Sequence, residues 1–470
     1  MHGMTQPHDL VERLLSLSTS QDCIVIVDES SAVNLRWAQN SLTNNGTGRG
    51  RKVTVIAIAD HRQGRSVGVV SSSGVDEADL IYLVRAAEDA AHANEAAEDS
   101  LPLISESPSS AHFHEPPAET GPHLLFDFAA ALGAVLGRAH SEGIHLYGFA
   151  THNMTSSYLG TSTGLRLRHD QPSGTVQMNA RSADHSRSTW VGRATQDFAD
   201  IDLEEIENEL LTRLHWAQRR IDLPPGNYET ILPPSAVADL LVYQMWCATA
   251  RDAVEGRSAF SAAGGRTLLG QRICSLPLTL LSDPHFPSLQ CAPFSLVHVP
   301  GDDIAAFDDE ASVFDNGIPL ERTDWIHEGT LNRLVATRHG AQVTGLPVAP
   351  SIGNLILESN SRRTLEDMVA STQHGLLLTC LWSIRPVEPS TLLLTGLTRD
   401  GTYLIENGEV TAEINNFRFN ESPLSLLGRA TEASASQRTL CREWGDWFTR
   451  AAAPALRIPD FNMSSTSRSI

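Results

Sequence analysis

The chain has 470 residues, 41% of them hydrophobic, and its formal net charge is −21. This length gives room for two or three domains with sizeable cores. No apolar run approaches the roughly 18 residues of a membrane span, and the acidic balance argues against a nucleic-acid-binding surface, because phosphate binding requires a basic face.

The N-terminal residues, "MHGMTQPHDLVERLLSLS", lack a basic segment followed by an apolar stretch. A secretory signal is therefore not predicted, and we expect a cytoplasmic protein. Six cysteines are scattered along the chain without a CxxC pair. This pattern favours buried, reduced thiols over a set of disulfides.

Residues 1–96 are predicted to form an N-terminal α/β domain. An amphipathic helix leads into the strand "CIVIVDES", and "KVTVIAIADHRQGRSVGVV" has the pattern of two strands around a glycine-containing turn. Residues 97–123 are rich in Ser, Pro and Glu, which predicts a linker. His112 and His114 could chelate a metal on a strand, but the flanking prolines favour an accidental pair in a mobile segment.

Residues 124–222 complete the N-terminal half, with a helix over 124–145, strands to about 192 and a charged helix over 202–220. The stretch "GTSTG" at 160–164 fits the letters of the nucleophile elbow of lipases. The residues after it favour strands and not the required helix, so we predict a turn or a loop at a strand edge.

Residues 223–458 are predicted to form a β-rich C-terminal domain, followed by a disordered tail over 459–470. The first helix of this domain is predicted over 235–252, because the preceding Pro-Pro pair marks a helix start. It carries an apolar stripe of Leu240, Leu241, Met245 and Ala248.

The stretch "DWIHEGTL" at 324–331 contains the first two letters of the zinc-protease signature. Two zinc-binding histidines on a helix lie about four residues apart, but Leu331 and Asn332 occupy those positions. The strand formers before Glu328-Gly329 predict a hairpin with His327 exposed near its tip. "YLIENGEV" at 403–410 predicts a second hairpin, with its turn at Asn-Gly.

Other candidate sites are weak. None of the 18 histidines has a second histidine at i+4, so the helical zinc pair is absent. The carboxylate cluster "FDDE" at 307–310 could bind a divalent cation, but adjacent carboxylates in one loop are more often a solvated face. The residues alone therefore predict a two-domain α/β plus β protein without a complete catalytic constellation.

The order of several stretches nevertheless resembles the TldD/PmbA family of metallopeptidase-related proteins over about residues 8–430. These stretches are "ESSAVNLRWAQNSL", "GTSTGLRLR", "EGRSAFSAAGGRTLLGQRICS", "VFDNGIPLERTDWIHEGTLNRLVATRHGA", "APSIGNLILES", "HGLLLTCLWS" and "TYLIENGEVTAEINNFRFNESPLSLL". The resemblance implies an α+β fold, with an N-terminal α/β domain and a β-rich domain built on a strongly curved, barrel-like sheet.

The resemblance also implies a division of labour between two subunits. The TldD-like subunit carries His-Glu-x-x-x-His on the helix before "SAF", whereas the PmbA/TldE-like subunit lacks it and helps to close a chamber for peptide substrates. At the corresponding positions this chain has Leu241, Val242 and Trp246, which cannot bind zinc. The resemblance is therefore to the metal-free subunit, with no catalytic or metal-binding residue of its own and with zinc expected in the partner.

Three hypotheses follow from this reading. The first is a non-catalytic subunit that is active in proteolysis only with a TldD-like partner; candidate chamber residues are Tyr243, Ser258, Phe260 and Asn354. The substrate would be a peptide, such as a natural-product precursor, or an amide-linked small molecule. The second is a free-standing hydrolase with atypical ligands such as Cys247 and Glu255. The third is a binding or scaffold protein without a peptidase role.

Overall fold

A computed structural model of the chain describes residues 5–62, 64–74, 79–105, 109–299 and 311–467. The α-helices in this part of the chain are α1 Pro7–Leu17, α2 Leu80–Ala93, α3 Phe126–Ser141, α4 Leu203–Trp216, α5 Pro234–Trp246, α6 Ala250–Val254, α7 Arg338–Thr344, α8 Leu365–Ala370 and α9 Pro423–Arg429. The mixture of 23% helix and 41% strand confirms the predicted α+β class.

The strands of the N-terminal half are β1 Asp22–Ala38, β2 Ser41–His61, β3 Gly64–Ser73, β4 Ile144–Thr161, β5 Arg166–Ser182 and β6 Ser188–Thr195. Those that follow are β7 Arg220–Ile221, β8 Gly226–Leu232, β9 Ser261–Ala262, β10 Arg266–Thr267, β11 Thr279–Ser282, β12 Thr323–His327, β13 Thr330–Leu331, β14 Leu355–Glu358, β15 His374–Leu378, β16 Leu381–Glu388, β17 Leu393–Thr398, β18 Thr402–Glu406, β19 Glu409–Ile414, β20 Phe417–Glu421, β21 Glu432–Ala433, β22 Gln437–Thr439, β23 Ala451–Ala453 and β24 Leu456–Thr466.

The N-terminal half is built on one antiparallel sheet in the order β3-β2-β1-β4-β5-β6. Its central pair joins β1 to β4, so the sheet combines the segments 1–96 and 124–222. Alternate residues of β1 point to opposite faces. Val25, Val27 and Val33 face the helices α1 to α4, whereas Ile24 and Ile26 belong to an apolar cluster with residues of the C-terminal half.

The predicted linker packs against both faces of this sheet: Leu103 lies in the cluster of Ile24 and Ile26 on the face toward the C-terminal half, whereas later residues pack on the helix-covered face. Phe113 is 1% exposed and its ring lies 5.9 Å from that of Tyr158 in an edge contact. The backbone N–H of Thr120 donates to Oγ of Ser31 over 2.8 Å, which fixes the end of the segment to β1. His112 pairs with a glutamate at i+3 and not with a second histidine.

The C-terminal half contains two larger sheets around a common core. One has the order β13-β12-β11-β14-β23-β22 and the other β16-β17-β20-β24-β8-β15-β18-β19-β7. Helix α5 packs against β8 of the larger sheet and against β22 and β23 of the smaller one. The core around α5 therefore unites residues that are far apart in the sequence.

The expectation of a strongly curved, barrel-like sheet is not supported, because no sheet of the described residues is closed or strongly curled. The ends of the larger sheet are β16 and β7, which do not pair with each other. β7 has only two residues, and β16 ends in the exposed residues Arg385, Pro386 and Glu388. Short strands, charges and proline discourage further pairing at a sheet edge.

The prediction of a disordered tail is wrong for 459–466, since these residues belong to β24 in the middle of the larger sheet. Phe461 and Met463 are buried on one face of this strand. Pro459 lies where the register with β8 shifts, so its missing N–H is tolerated. Residues 468–470 lie outside the described part of the chain.

Both predicted hairpins are confirmed. β12 and β13 are joined by Glu328-Gly329, both with positive φ, and the side chain of His327 is 60% exposed. The second hairpin joins β18 to β19 through Asn407-Gly408, again with positive φ at both positions. The carboxylate cluster at 307–310 lies outside the described residues.

Candidate functional site

By the family resemblance, helix α5 is the element that would carry a zinc signature in a TldD-like chain, and most of its side chains are buried. It begins at Pro234, whose fixed φ suits the first helical turn, and it ends at Trp246 and not at 252 as predicted. Leu240 and Val242 point in different directions around the helix, yet both are at most 2% exposed. A helix with buried apolar residues on different faces belongs in a core, so the predicted single stripe understates its burial.

The three positions at which the family resemblance expects the zinc signature do not fit a metal ion. Leu241 is 3% exposed and Val242 is fully buried, both within the apolar core. Trp246 packs at the edge of that core, and its buried indole Nε1 has no hydrogen-bond partner. Neither an aliphatic side chain nor an indole N–H offers the lone pair that zinc requires. Within the described ranges, no group of three His, Cys, Asp or Glu side chains is arranged to hold a metal.

Asp239, two residues before Leu241, is a fully buried carboxylate that sequence analysis does not single out. Its Oδ1 accepts from the backbone N–H of Glu443 over 2.9 Å, and its Oδ2 accepts from that of Arg442 over 3.1 Å. The indole of Trp444 donates to its backbone carbonyl over 3.0 Å. Burial raises the pKa of Asp239 well above its ordinary value, although these hydrogen bonds oppose the shift. The carboxylate therefore anchors the segment 442–444 on α5.

Three aromatic rings gather where this anchored segment meets the end of α5. The ring centroid of Trp246 lies 4.6 Å from that of Trp444 and 5.6 Å from that of Tyr243. All three side chains are partly exposed. Trp447, in the same segment as Trp444, is 60% exposed. This end of α5 therefore presents an aromatic surface, which we call the aromatic cluster (Tyr243, Trp246 and Trp444).

Arg442 connects the two halves of the molecule beside this cluster. Its guanidinium lies 4.7 Å from the ring centroid of Trp190, on β6, and 4.6 Å from that of Trp382, on β16. Trp190 is buried, and its indole N–H donates to Gln177 over 3.3 Å. Cation–π contacts with two rings stabilise the guanidinium, so Arg442 holds the N-terminal sheet against the anchored segment.

The four predicted chamber residues are not brought together. Tyr243 is part of the aromatic cluster. Ser258 is buried and its Oγ accepts from the backbone N–H of Phe260, whose ring is 1% exposed in the core. Asn354 is fully buried, and its amide bonds the backbone of Asp283 and Leu289. Of the four, only Tyr243 presents partly exposed ring surface at the end of α5.

A cavity of about 230 Å³ lies between the two halves, on the opposite face of the N-terminal sheet from its helices. Two of its lining residues contact Asp28, which accepts from Oγ of Ser157 over 2.5 Å and contacts Nε2 of His298 over 2.7 Å. The carboxylate lies between the hydroxyl and the imidazole, so the histidine is not placed to remove the serine proton. Burial lowers the pKa of the neighbouring His169. The contacts of Asp28 with Ser157 and His298 therefore join the two halves of the molecule and do not form a nucleophilic triad.

The remaining sequence candidates have structural roles. The "GTSTG" stretch is the turn between β4 and β5, where Oγ of Ser162 donates to Asp22 over 2.9 Å. Glu255 contacts both Arg251 and Arg257, which does not favour a ligand role. The six cysteines form no disulfide; five are buried and Cys247 is half-buried, as predicted for reduced thiols.

The residues 225–465 match the family described as "PmbA/TldA metallopeptidase C-terminal domain". The chain belongs to the PmbA/TldD family. The predicted family is thus confirmed, and the match extends beyond the predicted domain end at 458. No curated protein sequence matches the chain.

Solved structures of similar fold cover nearly the whole of this PmbA/TldD family member. TldE from Thermococcus kodakarensis is 17% identical with a TM-score of 0.73, and the match covers 97% of this chain and 98% of that one. A proposed modulator of DNA gyrase from Bacteroides thetaiotaomicron is 17% identical with a TM-score of 0.74, and the match again covers 97% of this chain and 98% of that one. A similar protein from Thermotoga maritima is 14% identical with a TM-score of 0.72, over 97% and 99% of the two chains. These likenesses show the fold alone.

No helix of the described residues is long and apolar enough to cross a membrane.

Proposed function

We propose that this chain is the metal-free subunit of a heteromeric zinc metallopeptidase and that a TldD-like partner supplies the zinc site. The observation that carries the proposal is the burial of Leu241 and Val242 in the core. In the TldD-like pattern, these positions hold the first zinc-binding histidine and the glutamate that activates water. Here they are committed to packing, so the helix keeps its place in the fold without the chemistry.

Zinc-dependent hydrolysis requires a metal with an open coordination position and a base that removes a proton from the bound water. Asp239 is the carboxylate of α5 that the sequence offers nearest to the signature positions. Both of its oxygens already accept backbone N–H groups, and it is fully buried. It cannot approach a water molecule in this arrangement, which supports the assignment of catalysis to another subunit.

The contribution of this chain would be to form part of the wall of the substrate chamber. The aromatic cluster at the end of α5 supports this role, because partly exposed tryptophan and tyrosine side chains are typical of protein and peptide interfaces. The substrate would be a peptide or an amide-linked small molecule. The resemblance provides this substrate class, and the aromatic surface is compatible with it.

The test is to mix the purified chain with a TldD-like protein that carries His-Glu-x-x-x-His. We expect no peptide hydrolysis by this chain alone, and cleavage by the mixture that a zinc chelator abolishes. The matched control is a partner in which the glutamate of His-Glu-x-x-x-His is changed to glutamine. The mixture with this partner should be inactive. Turnover by the lone chain, free of contaminating partner, would contradict the subunit role.

The alternatives predict different outcomes of the same experiment. A free-standing hydrolase using Cys247 and Glu255 would be active alone and would lose activity on Cys247→Ser. A scaffold protein without a peptidase role would bind no TldD-like chain and would leave the activity of that chain unchanged.

A further inference from the structure

Two arginines lie on one face of the N-terminal sheet, on the two strands that flank β4. Arg36 of β1 lies opposite Phe149, and Arg181 of β5 lies opposite His145. Directly opposed residues of antiparallel strands point to the same face, and alternate residues of one strand share a face. Arg36 therefore shares its face with Ile26, which packs in an apolar cluster with residues of the C-terminal half. The two arginines thus lie on the face toward that half.

Both arginines contact an aromatic ring of β4. The guanidinium of Arg36 lies 5.8 Å from the ring centroid of Phe149, and that of Arg181 lies 5.6 Å from the ring centroid of Tyr147. The arginines are exposed and the two aromatic residues are half-buried. Because Tyr147 and Phe149 are alternate residues of one strand, their rings lie side by side between the two guanidiniums. We call this surface the arginine–aromatic patch (Arg36, Tyr147, Phe149 and Arg181).

The charge of this surface is opposite to the net charge of the chain, which is −21. From the row of Ser30 to the end of the sheet near Arg36, the residues of β1, β2, β4, β5 and β6 on this face include both arginines and no Asp or Glu. Asp184, in the turn after β5, already accepts from the hydroxyl of Ser182 over 2.6 Å. Charges more than about 10 Å away are largely screened at 0.1 M salt. A ligand on the patch would therefore respond mainly to the two arginines.

The arginine–aromatic patch adjoins the aromatic cluster through β6. Tyr147 of β4, Asn179 of β5 and Trp190 of β6 lie opposite one another in successive strands. Neighbouring strands are about 4.8 Å apart, which places Trp190 roughly 10 Å from Tyr147. Trp190 contacts Arg442, and Arg442 belongs to the anchored segment that carries Trp444 of the aromatic cluster. A peptide that lies on the aromatic cluster can therefore continue onto the patch.

We propose that the arginine–aromatic patch binds an acidic part of the peptide substrate, away from the bond that is cut. This rests on the proposed function and assigns a substrate preference to it. Guanidiniums bind carboxylates through paired N–H groups, and the two rings offer a surface for apolar side chains between the carboxylates. An exposed cation–π contact is weak, so each guanidinium can turn from its ring to a carboxylate.

The positions of the two arginines determine which spacing of carboxylates fits best. Arg36 lies opposite residue 149 and Arg181 opposite residue 145, so they are offset by four residues along the strands and separated by two strand spacings. With about 3.4 Å per residue and about 4.8 Å per strand, their Cα atoms are about 16 Å apart. This distance corresponds to about five residues of an extended peptide. We therefore expect two glutamates five residues apart to match both arginines.

Single-stranded nucleic acid and a second copy of the chain are less suitable occupants. A nucleic-acid strand has a phosphate at every nucleotide and requires a basic groove along its path. The patch offers two arginines on a chain of net charge −21. Two copies of the patch would place guanidiniums against guanidiniums, and such like-charge contacts oppose association. An acidic peptide can place its carboxylates only where the arginines lie.

The test is binding of the full chain to three fluorescein-labelled peptides, measured by fluorescence anisotropy. The first peptide has two glutamates five residues apart with leucines between them. The second has glutamines in place of the glutamates, and the third has the two glutamates next to each other. We expect the first peptide to bind at least about tenfold more tightly than the other two. Its binding should weaken as the salt concentration rises, because salt screens exposed charges.

The double variant Arg36→Gln, Arg181→Gln should weaken binding of the first peptide about tenfold or more. The matched control, Arg333→Gln with Arg362→Gln, removes two exposed arginines from the C-terminal half. It should change the dissociation constant by less than about twofold. Both double variants should melt close to the parent, since substitutions of exposed residues have small effects on stability.

No binding by the parent, equal binding of the first peptide and either of the others, or equal weakening by both double variants would overturn the proposal. If an oligothymidine binds more tightly than the first peptide and Arg36→Gln, Arg181→Gln abolishes that binding, the occupant is nucleic acid and the proposal is wrong. A dimer in sedimentation that this variant dissociates would identify a second copy and would also overturn it. These measurements use the lone chain and no zinc, so they can fail or succeed independently of cleavage with a TldD-like partner.

Discussion

Oδ1 of Asp239 accepts a 2.9 Å hydrogen bond from the backbone N–H of Glu443, which lies 204 residues later in the chain. The bond joins a helix of the apolar core to a segment that carries two tryptophans. Aromatic groups near the end of α5 therefore depend for their position on a carboxylate that no catalytic motif includes.

We expect Asp239→Ala to destabilise the protein. The change leaves the backbone N–H groups of Arg442 and Glu443 without acceptors, and a buried unpaired donor costs about 1–3 kcal/mol. Urea unfolding would measure the loss. The exposed Asp446 lies in the same segment, so Asp446→Ala is the matched control and should have little effect. Equal stability of both variants would contradict the anchoring role.

The stability difference between the parent and Asp239→Asn should depend on pH. Burial raises the pKa of Asp239 in the folded state above its ordinary value of 3.8. The folded state therefore binds the proton of the Asp239 carboxyl more tightly than the unfolded state does. As a consequence, the contribution of Asp239 to the free energy of unfolding falls as pH rises from 3.8 to the raised pKa. Asparagine does not titrate, so the parent should lose stability relative to the variant over that window. A pH-independent difference in urea unfolding would exclude the raised pKa.

Leu241→Ala should lower the melting temperature. Truncation of a leucine in a packed core costs roughly 2–5 kcal/mol, and Leu241 is 3% exposed. Leu42, which is 56% exposed, provides the control: Leu42→Ala should melt close to the parent. Calorimetry that finds the same melting temperature for both variants would show that α5 is not packed as described.

Restoring the letters of the zinc signature should not restore a peptidase. The triple variant Leu241→His, Val242→Glu, Trp246→His places an unpaired carboxylate at a fully buried position, which is costly unless it is paired. A zinc site also needs a third protein ligand and hydrogen bonds that orient the imidazoles. We expect lower thermal stability, at most loose zinc binding and no turnover. Efficient peptide cleavage by this variant alone would remove the physical basis of the subunit proposal.

The thiols should be unreactive in the folded protein at pH 8. Burial raises the pKa of Cys291 to about 11 and that of Cys380 to about 12, so the reactive thiolate is scarce at both positions. A colorimetric thiol reagent should label at most the half-buried Cys247 rapidly and all six cysteines after denaturation. Cys247→Ser is the control and should abolish the rapid labelling in the native protein. Rapid labelling of several thiols in the native parent would contradict their burial.

Local patterns were sufficient to predict the turns and several helices from the sequence. Asn407-Gly408 forms the predicted hairpin because its residues accept positive φ. Helix α4 begins after Asp202, whose carboxylate accepts the N–H groups of the first turn, as residues of this type do at helix starts. The missing zinc ligands at Leu241 and Val242 could likewise be read directly, because an aliphatic side chain has no lone pair in any fold.

Only the tertiary structure decided which of these residues act together. The polar tail was predicted to be disordered, but β24 finds partners in β8 and β20, which are remote in sequence and bury Phe461. Asp239 acquires its role from backbone N–H groups of a distant segment. Arg36 and Arg181 lie on one face of the N-terminal sheet through the registers of β1 and β5 with β4. Pairing and burial between remote segments depend on the whole folded chain, and local propensity contains no information about them.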